Sequence, residues 1–445
     1  MKPTLIKNAL IINEGISFTG DLLIKNGRIE QISEQGISDA NYEIINAEGL
    51  WLLPGVIDDQ VHFREPGLTH KATIATESAA AVAGGTTTFM EMPNTVPNAI
   101  TQELLQQKYD IAEHCSPANY SFFMGTTNDN LEQVLKTNPK NVCGVKIFMG
   151  SSTGNMLIDE PNILDKLFEK CELLIATHCE DEATVRRNTE LYLAKYGENM
   201  AARYHPKIRS REACLLSSTF AANLAKKHGT RLHILHITTA DEVSLFSNTL
   251  PLRDKKITSE VCVHHLTFEA SDYETLGNKI KCNPAIKYAA DRTALWHALN
   301  NDLFDIVATD HAPHTIEEKN NVYIKSPSGL PLVQHSLVQM IEHSKNGLIS
   351  KERMVEKMSH SPAECFKISN RGYLREGYFA DLVLVNPNQN YTVTKNNILY
   401  KCGWSPFEGK TFSSSIHSTY VNGIKVFDQK GLTGELAGMR LEFQR

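Results

Sequence analysis

Apolar and polar residues alternate with a period of two through the first fifty positions, and that rhythm predicts short strands at 5–12, 21–25, 28–32 and 42–45, punctuated by Gly15, Gly20, Asn26-Gly27 and Gly36. The same pattern returns at the end of the chain. Strands are predicted at 380–385, 391–393, 415–421 and 424–427, the last two joined through Asn422-Gly423, a dipeptide suited to a tight hairpin turn. The two ends are expected to pair into one small β-sandwich, built from residues 1–53 and 376–445.

Between them the period changes. Short apolar runs at 55–62, 86–92, 120–125, 144–148, 173–178, 232–237, 257–263 and 305–310 read as buried strands, and helical patterns at 102–115, 162–171, 211–228, 291–299 and 332–343 separate many of them. Eight strands in a βαβ rhythm predict an α/β fold, a (β/α)8 TIM barrel spanning 54–375. No internal repeat and no low-complexity segment interrupts this order.

Composition narrows the class. Of the 445 residues 41% are hydrophobic and 22% charged, the mean hydropathy is -0.28, and no run approaches the roughly 20 apolar residues of a membrane span. The alternation of residues 1–14 breaks up any signal-peptide apolar region, so a cytoplasmic protein is expected. Nine dispersed cysteines with no Cys-x-x-Cys pair read as reduced thiols. A net charge of -6 with scattered basic residues gives no nucleic-acid track and no anionic-membrane patch.

In a barrel of this type chemistry sits at the C-terminal strand ends. There the first predicted strand carries Asp58-Asp59-Gln60-Val61-His62-Phe63-Arg64, the fourth Lys146, the fifth His178, the sixth His236 and the eighth Asp310. A single histidine among 17 is ordinarily structural. The argument rests on the set, because imidazoles and carboxylates gathered at one end of successive strands suit a catalytic Zn2+ with open positions. Lys146 alone would read as an ordinary lysine.

Several motifs resemble those of dihydroorotases, in the amidohydrolase superfamily. Val61-His62-Phe63-Arg64-Glu65-Pro66-Gly67, Met92-Pro93-Asn94-Thr95 and Ala308-Thr309-Asp310-His311-Ala312-Pro313-His314, followed by Lys319, are similar to the family's signatures. So are Gly144-Val145-Lys146-Ile147-Phe148, Thr177-His178-Cys179-Glu180, His233-Ile234-Leu235-His236, Asn283-Pro284 and Ala380-Asp381-Leu382-Val383. The resemblance implies one or two zinc ions, with Lys146 as a CO2-derived bridging carbamate, His178 and His236 on one metal, and His62 and Asp310 on the other. It implies a metal-activated water as nucleophile, Asp310 as the proton carrier, and Arg64, Asn94 and His314 as readers of a substrate carboxylate. Asn283 would contact the ring, and the loop 315–331 would close over it.

The reaction so implied is the reversible cyclisation of N-carbamoyl-L-aspartate to (S)-dihydroorotate, a step of pyrimidine biosynthesis, by a homodimer. Gln60 departs from the family pattern, standing where the first histidine of Asp-x-His-x-His is usual. A neutral amide oxygen is a weaker zinc ligand than imidazole. His264, His265 and Glu260 read as structural or supporting residues. Two other readings stay open: a different cyclic amidohydrolase, an allantoinase or hydantoinase, and a catalytically dead relative serving as an assembly partner, for which Gln60 is the support.

Overall fold

The computed structural model describes residues 2–38, 41–150, 156–158 and 160–445. The eight barrel strands are Val56–Val61, Thr86–Glu91, Asn119–Phe122 continuing into Met124–Gly125, Val145–Phe148, Ile175–His178, Leu232–Ile234, Ile257–Cys262 and Ile306–Ala308. Each pairs in parallel with its neighbour. The circle closes where His62 N–H donates to the His311 carbonyl at 2.7 Å. Every predicted barrel strand is present, and the fold is the (β/α)8 TIM barrel.

Local signals account for the helices that the sequence predicts. Arg211–His228 begins at Ser210, whose hydroxyl accepts from the Ala213 amide, and ends at Gly229 in the left-handed region with φ 69°. Its buried face is mostly small, Ala213, Cys214, Ser217, Ser218, Ala221 and Ala222, so the helix lies close on the strands. Among the described residues, two helices of ten residues or more escaped the pattern. Ile74–Ala83 buries seven of its ten residues and lacks polar contrast, whereas Glu182–Tyr196 buries only Thr184 and Val185 and lacks an apolar stripe.

Ile57, Met90, Phe123, Leu174, Leu235 and Ile306 of the barrel pack in one apolar cluster with Phe366, Ile368, Leu441 and Phe443 from the C-terminal part of the chain.

The chain termini meet in a nine-stranded sheet. Trp51–Pro54 pairs antiparallel with Leu382–Asn386, Val383 opposite Leu53, and Thr4–Asn13 pairs with Ile16–Lys25. Asn422 and Gly423 both take positive φ, 51° and 76°, as the predicted hairpin turn requires. Tyr391–Thr392 joins a separate two-stranded ribbon with Thr411–Phe412, because Tyr391 and Phe412 pack into the aromatic cluster of Tyr400, Trp404 and Phe407 instead.

Candidate active site

Gln60, His62, Arg64, Asn94, Lys146, His178, His236, Asn283 and Asp310 line one cavity of about 280 Å³ at the C-terminal strand ends. It has room for one small ring. His314 stands behind Arg64, and Phe148, Arg209 and the segment Pro327–Gly329 complete the wall. Arg64, His236 and Asp310 have φ of 70°, 42° and 47°. Non-glycine residues rarely adopt this region, and strained backbone of this kind concentrates where side chains must be aimed.

Two pairs face each other across the cavity floor. His178 Nδ1 lies 3.0 Å from His236 Nε2, and His62 Nε2 lies 3.1 Å from Asp310 Oδ1. Two of these imidazoles have the other nitrogen held by a side chain: His178 Nε2 by Glu180 Oε2 at 3.0 Å, and His62 Nδ1 by Asn94 Oδ1 at 2.8 Å. Glu180 is in turn paired with Arg209. A carboxylate or amide behind a histidine is the usual support of a metal ligand, since it fixes both tautomer and orientation. Burial holds His62, His178 and His236 below the ordinary imidazole range, in the neutral form that binds metal. His236 Nδ1 is buried with no hydrogen-bond partner.

Lys146 is fully buried, and desolvation pulls its pKa down to about 7. A neutral amine is the form that takes up CO2, so the donor set fits the implied metal centre: two facing imidazoles, an imidazole–carboxylate pair, and a lysine between them able to become anionic. Burial by itself would raise the Asp310 carboxyl, but the contact with His62, the largest opposing cause, holds it below the ordinary carboxylate range.

Beneath this layer His233 Nε2 lies 3.3 Å from Asp59 Oδ2 and 3.4 Å from Glu260 Oε2, all fully buried. Burial and the Asp59 charge push Glu260 well above the ordinary carboxylate range. Its other oxygen accepts the His236 backbone N–H at 3.0 Å, which props the left-handed residue. Asp58 binds Thr309 through hydroxyl and amide, at 2.6 and 3.2 Å, and so ties the first strand to the turn that carries Asp310.

The Arg64 guanidinium is buried, and Nε donates to the Pro313 carbonyl at 3.1 Å. His314 Nδ1 lies 3.0 Å from Lys71 Nζ, while its Nε2 is 3.0 Å from the Ser328 carbonyl and 3.1 Å from Arg64 Nη2. Because an ammonium only donates, Nδ1 accepts, the ring proton sits on Nε2, and Ser328 receives it. Arg64 Nη2 therefore faces an N–H rather than a lone pair. Among the described residues neither terminal nitrogen of Arg64 meets a carbonyl or carboxylate oxygen. The guanidinium borders the cavity with neither terminal nitrogen taken by a protein oxygen.

Asn94, expected to read substrate, has its oxygen taken by His62; Asn283 presents a buried Oδ1 with no partner. Lys319, named only as part of a motif, is buried, and its ammonium donates to the carbonyls of Lys281, Pro327 and Gly329 at 3.1, 2.9 and 2.8 Å, fixing the wall on that side. Sequence reasoning passed over Lys71 and Arg209 and named Glu180 only as part of a motif. Only Glu180 carried a signal, two residues after His178.

Comparison with known proteins agrees with this geometry. A family model described as the amidohydrolase family matches residues 51–426. The chain is 33% identical over 415 residues to a dihydroorotase of Methanosarcina acetivorans, covering 91% of this chain and 88% of that protein. It is 30% identical over 439 residues to an allantoinase of Bacillus velezensis, covering 96% and 94%. The solved L-hydantoinase (dihydropyrimidinase) of Arthrobacter aurescens superposes with a TM-score of 0.93 at 25% identity, over 99% of this chain and 100% of that one.

Proposed function

The chain belongs to the amidohydrolase family, within its cyclic-amide-hydrolysing branch, and from that premise we propose that it is a dihydroorotase. The observation that supports this over an allantoinase or hydantoinase is the unspent Arg64 fork, backed by His314 and Lys71. Dihydroorotate carries an exocyclic carboxylate, and a guanidinium fork offers it two parallel charge-assisted hydrogen bonds. Allantoin, hydantoin and dihydropyrimidine rings present no such group.

On this reading His62, His178, His236, Asp310 and Lys146, the last as a carbamate, would hold one or two zinc ions. When bound, such ions act as Lewis acids on the ring carbonyl and bring water toward hydroxide near neutral pH. Asp310, held below the ordinary carboxylate range, takes the proton of the attacking water and returns it to the departing ring nitrogen. Asn283 offers its unpartnered Oδ1 to a ring N–H. Arg64 and the neutral His314 orient the ring through its carboxylate, and the Pro327–Gly329 wall tied by Lys319 excludes water. In the opposite direction the same groups condense a carboxylic acid with a ureido nitrogen.

The test is turnover of dihydroorotate, allantoin and dihydrouracil by the zinc-loaded protein. Ring closure consumes a proton, so dihydroorotate is hydrolysed at alkaline pH and formed from carbamoyl aspartate at acidic pH. Preference for allantoin or dihydrouracil would transfer the assignment to a sister enzyme, and no turnover of any of the three would favour the non-catalytic reading.

A further inference from the structure

The functional reading leaves no role for the histidine pair that follows the seventh barrel strand. Cys262 ends that strand, and His264 and His265 sit in the single helical turn Val263–Thr267. Their rings lie 4.0 Å apart. The Cys262 sulfur and one nitrogen from each ring all fall within 4.8 Å of one another, and all three side chains are buried. Buried polar groups are normally paired, and three of the four ring nitrogens here are not. Neither His264 nitrogen makes a hydrogen bond, although the Thr309 carbonyl is near enough to one of them to favour a proton there. His265 Nε2 faces the Pro284 carbonyl at 3.1 Å, and its Nδ1 has no partner. Each ring thus has a carbonyl beside one nitrogen and a lone pair to spare on the other, the arrangement that orients a histidine toward a metal.

A fourth donor completes the set. The Cys262 thiol points at Gln60 Oε1, 3.8 Å away. A tetrahedral zinc with bonds of about 2.3 Å to sulfur and 2.0 to 2.1 Å to nitrogen needs ligand atoms roughly 3.3 to 3.8 Å apart. The Cys262, His264 and His265 donor atoms, all within 4.8 Å of one another, reach that spacing by closing in on the cation. The chemistry is also selective: one thiol, two imidazoles and an amide oxygen suit Zn2+ and its softer neighbours and not Mg2+ or Ca2+.

We propose that Cys262, His264 and His265 hold a thiophilic divalent cation, with Gln60 Oε1 as its fourth ligand, in a site separate from the His62, Lys146, His178, His236 and Asp310 set. Binding displaces the Cys262 thiol proton to solvent and leaves a thiolate on the cation. The site ties the first strand, through Gln60, to the seventh, and His265 carries the tie on to the Asn283-Pro284 segment of the cavity. It also gives Gln60 a use that a histidine in the catalytic set would not have. The inference does not depend on the substrate assigned above.

Reconstituting the full chain with Co2+ tests it. Every donor in the other set is nitrogen or oxygen, so a thiolate-to-cobalt charge-transfer band in the near ultraviolet reports on this site alone. The parent is expected to show that band and to bind one equivalent of zinc more than Cys262→Ser, while Cys115→Ser, altered at a thiol elsewhere, keeps both. Zinc X-ray absorption on the parent should show a Zn–S distance of about 2.3 Å, a reading that stands even if Cys262→Ser fails to fold. Absence of the band and of the Zn–S distance in the loaded parent, or a band that survives in Cys262→Ser, overturns the proposal. A parent with the band but without dihydroorotate turnover upholds this site and overturns the substrate assignment.

Discussion

Replacing Arg64 by methionine removes a guanidinium while keeping most of the buried volume. In the parent the group is 2% exposed, burial lowers its pKa only to about 10, and it is charged at neutral pH. Its Nε is spent on the Pro313 carbonyl and its terminal nitrogens are not spent on protein oxygens. A hydrogen bond to a charged partner is worth about 1.5 to 3 kcal/mol net, so loss of a two-pronged contact with the substrate carboxylate should cost on the order of 2 to 4 kcal/mol in kcat/KM, about 30- to 1000-fold. Folding should suffer less. The orphaned Pro313 carbonyl costs roughly 1 to 3 kcal/mol, visible as a lower Tm. The metal ligands are untouched, and zinc content should not change. The assay is kcat/KM for dihydroorotate in both directions, with zinc content and Tm measured on the same preparation. Arg64→Lys, a charge without the fork, should fall between the two. An Arg64→Met enzyme within a few-fold of the parent, or one that loses activity only in proportion to lost zinc, would refute the carboxylate-reading role.

Lys146→Ala should lose the zinc bound at the candidate centre and all turnover, because the anionic group that would offset the charge of the cation or cations there is gone; metal analysis after gel filtration checks this. Glu180→Gln, which weakens the support behind His178 Nε2, should lower zinc affinity about 10- to 100-fold while leaving the secondary structure intact, measured by competition with a chromophoric chelator. His343 is buried beside Trp296, and desolvation lowers its pKa from 6.5 to about 4. The unfolded chain therefore binds a proton that the folded one refuses as pH falls from 6.5 toward 4, and stability is lost across that window, on the order of 3 kcal/mol from this group. His343→Gln should flatten the fall in Tm between pH 6.5 and 4; an unchanged slope would show that the ring is not held neutral.

Much of the fold was written locally. The period-two runs, the 3.6-period helices and the Asn422-Gly423 turn each depend on residues close in sequence, and the polar residues that close the first, fifth and eighth strands arrive at one end of the barrel because all eight strands run in parallel. That is why His62, His178, His236 and Asp310 could be named before any coordinates, whereas Lys146 was named through the family resemblance. The sequence could not say what each nitrogen faces. The neutral Nε2–H form of His314 follows from Lys71, 243 residues away. The unspent Arg64 fork follows from that tautomer, and the turn of Gln60 toward Cys262 crosses 202 residues. Even the pairing of the chain ends, Val383 on Leu53, is a choice of partner among many similar strands. Periodicity and strand direction are properties of a segment, so the sequence determines them by itself; a proton position or an ion partner is fixed by the closest atoms in space, and only the closed barrel brings those atoms together.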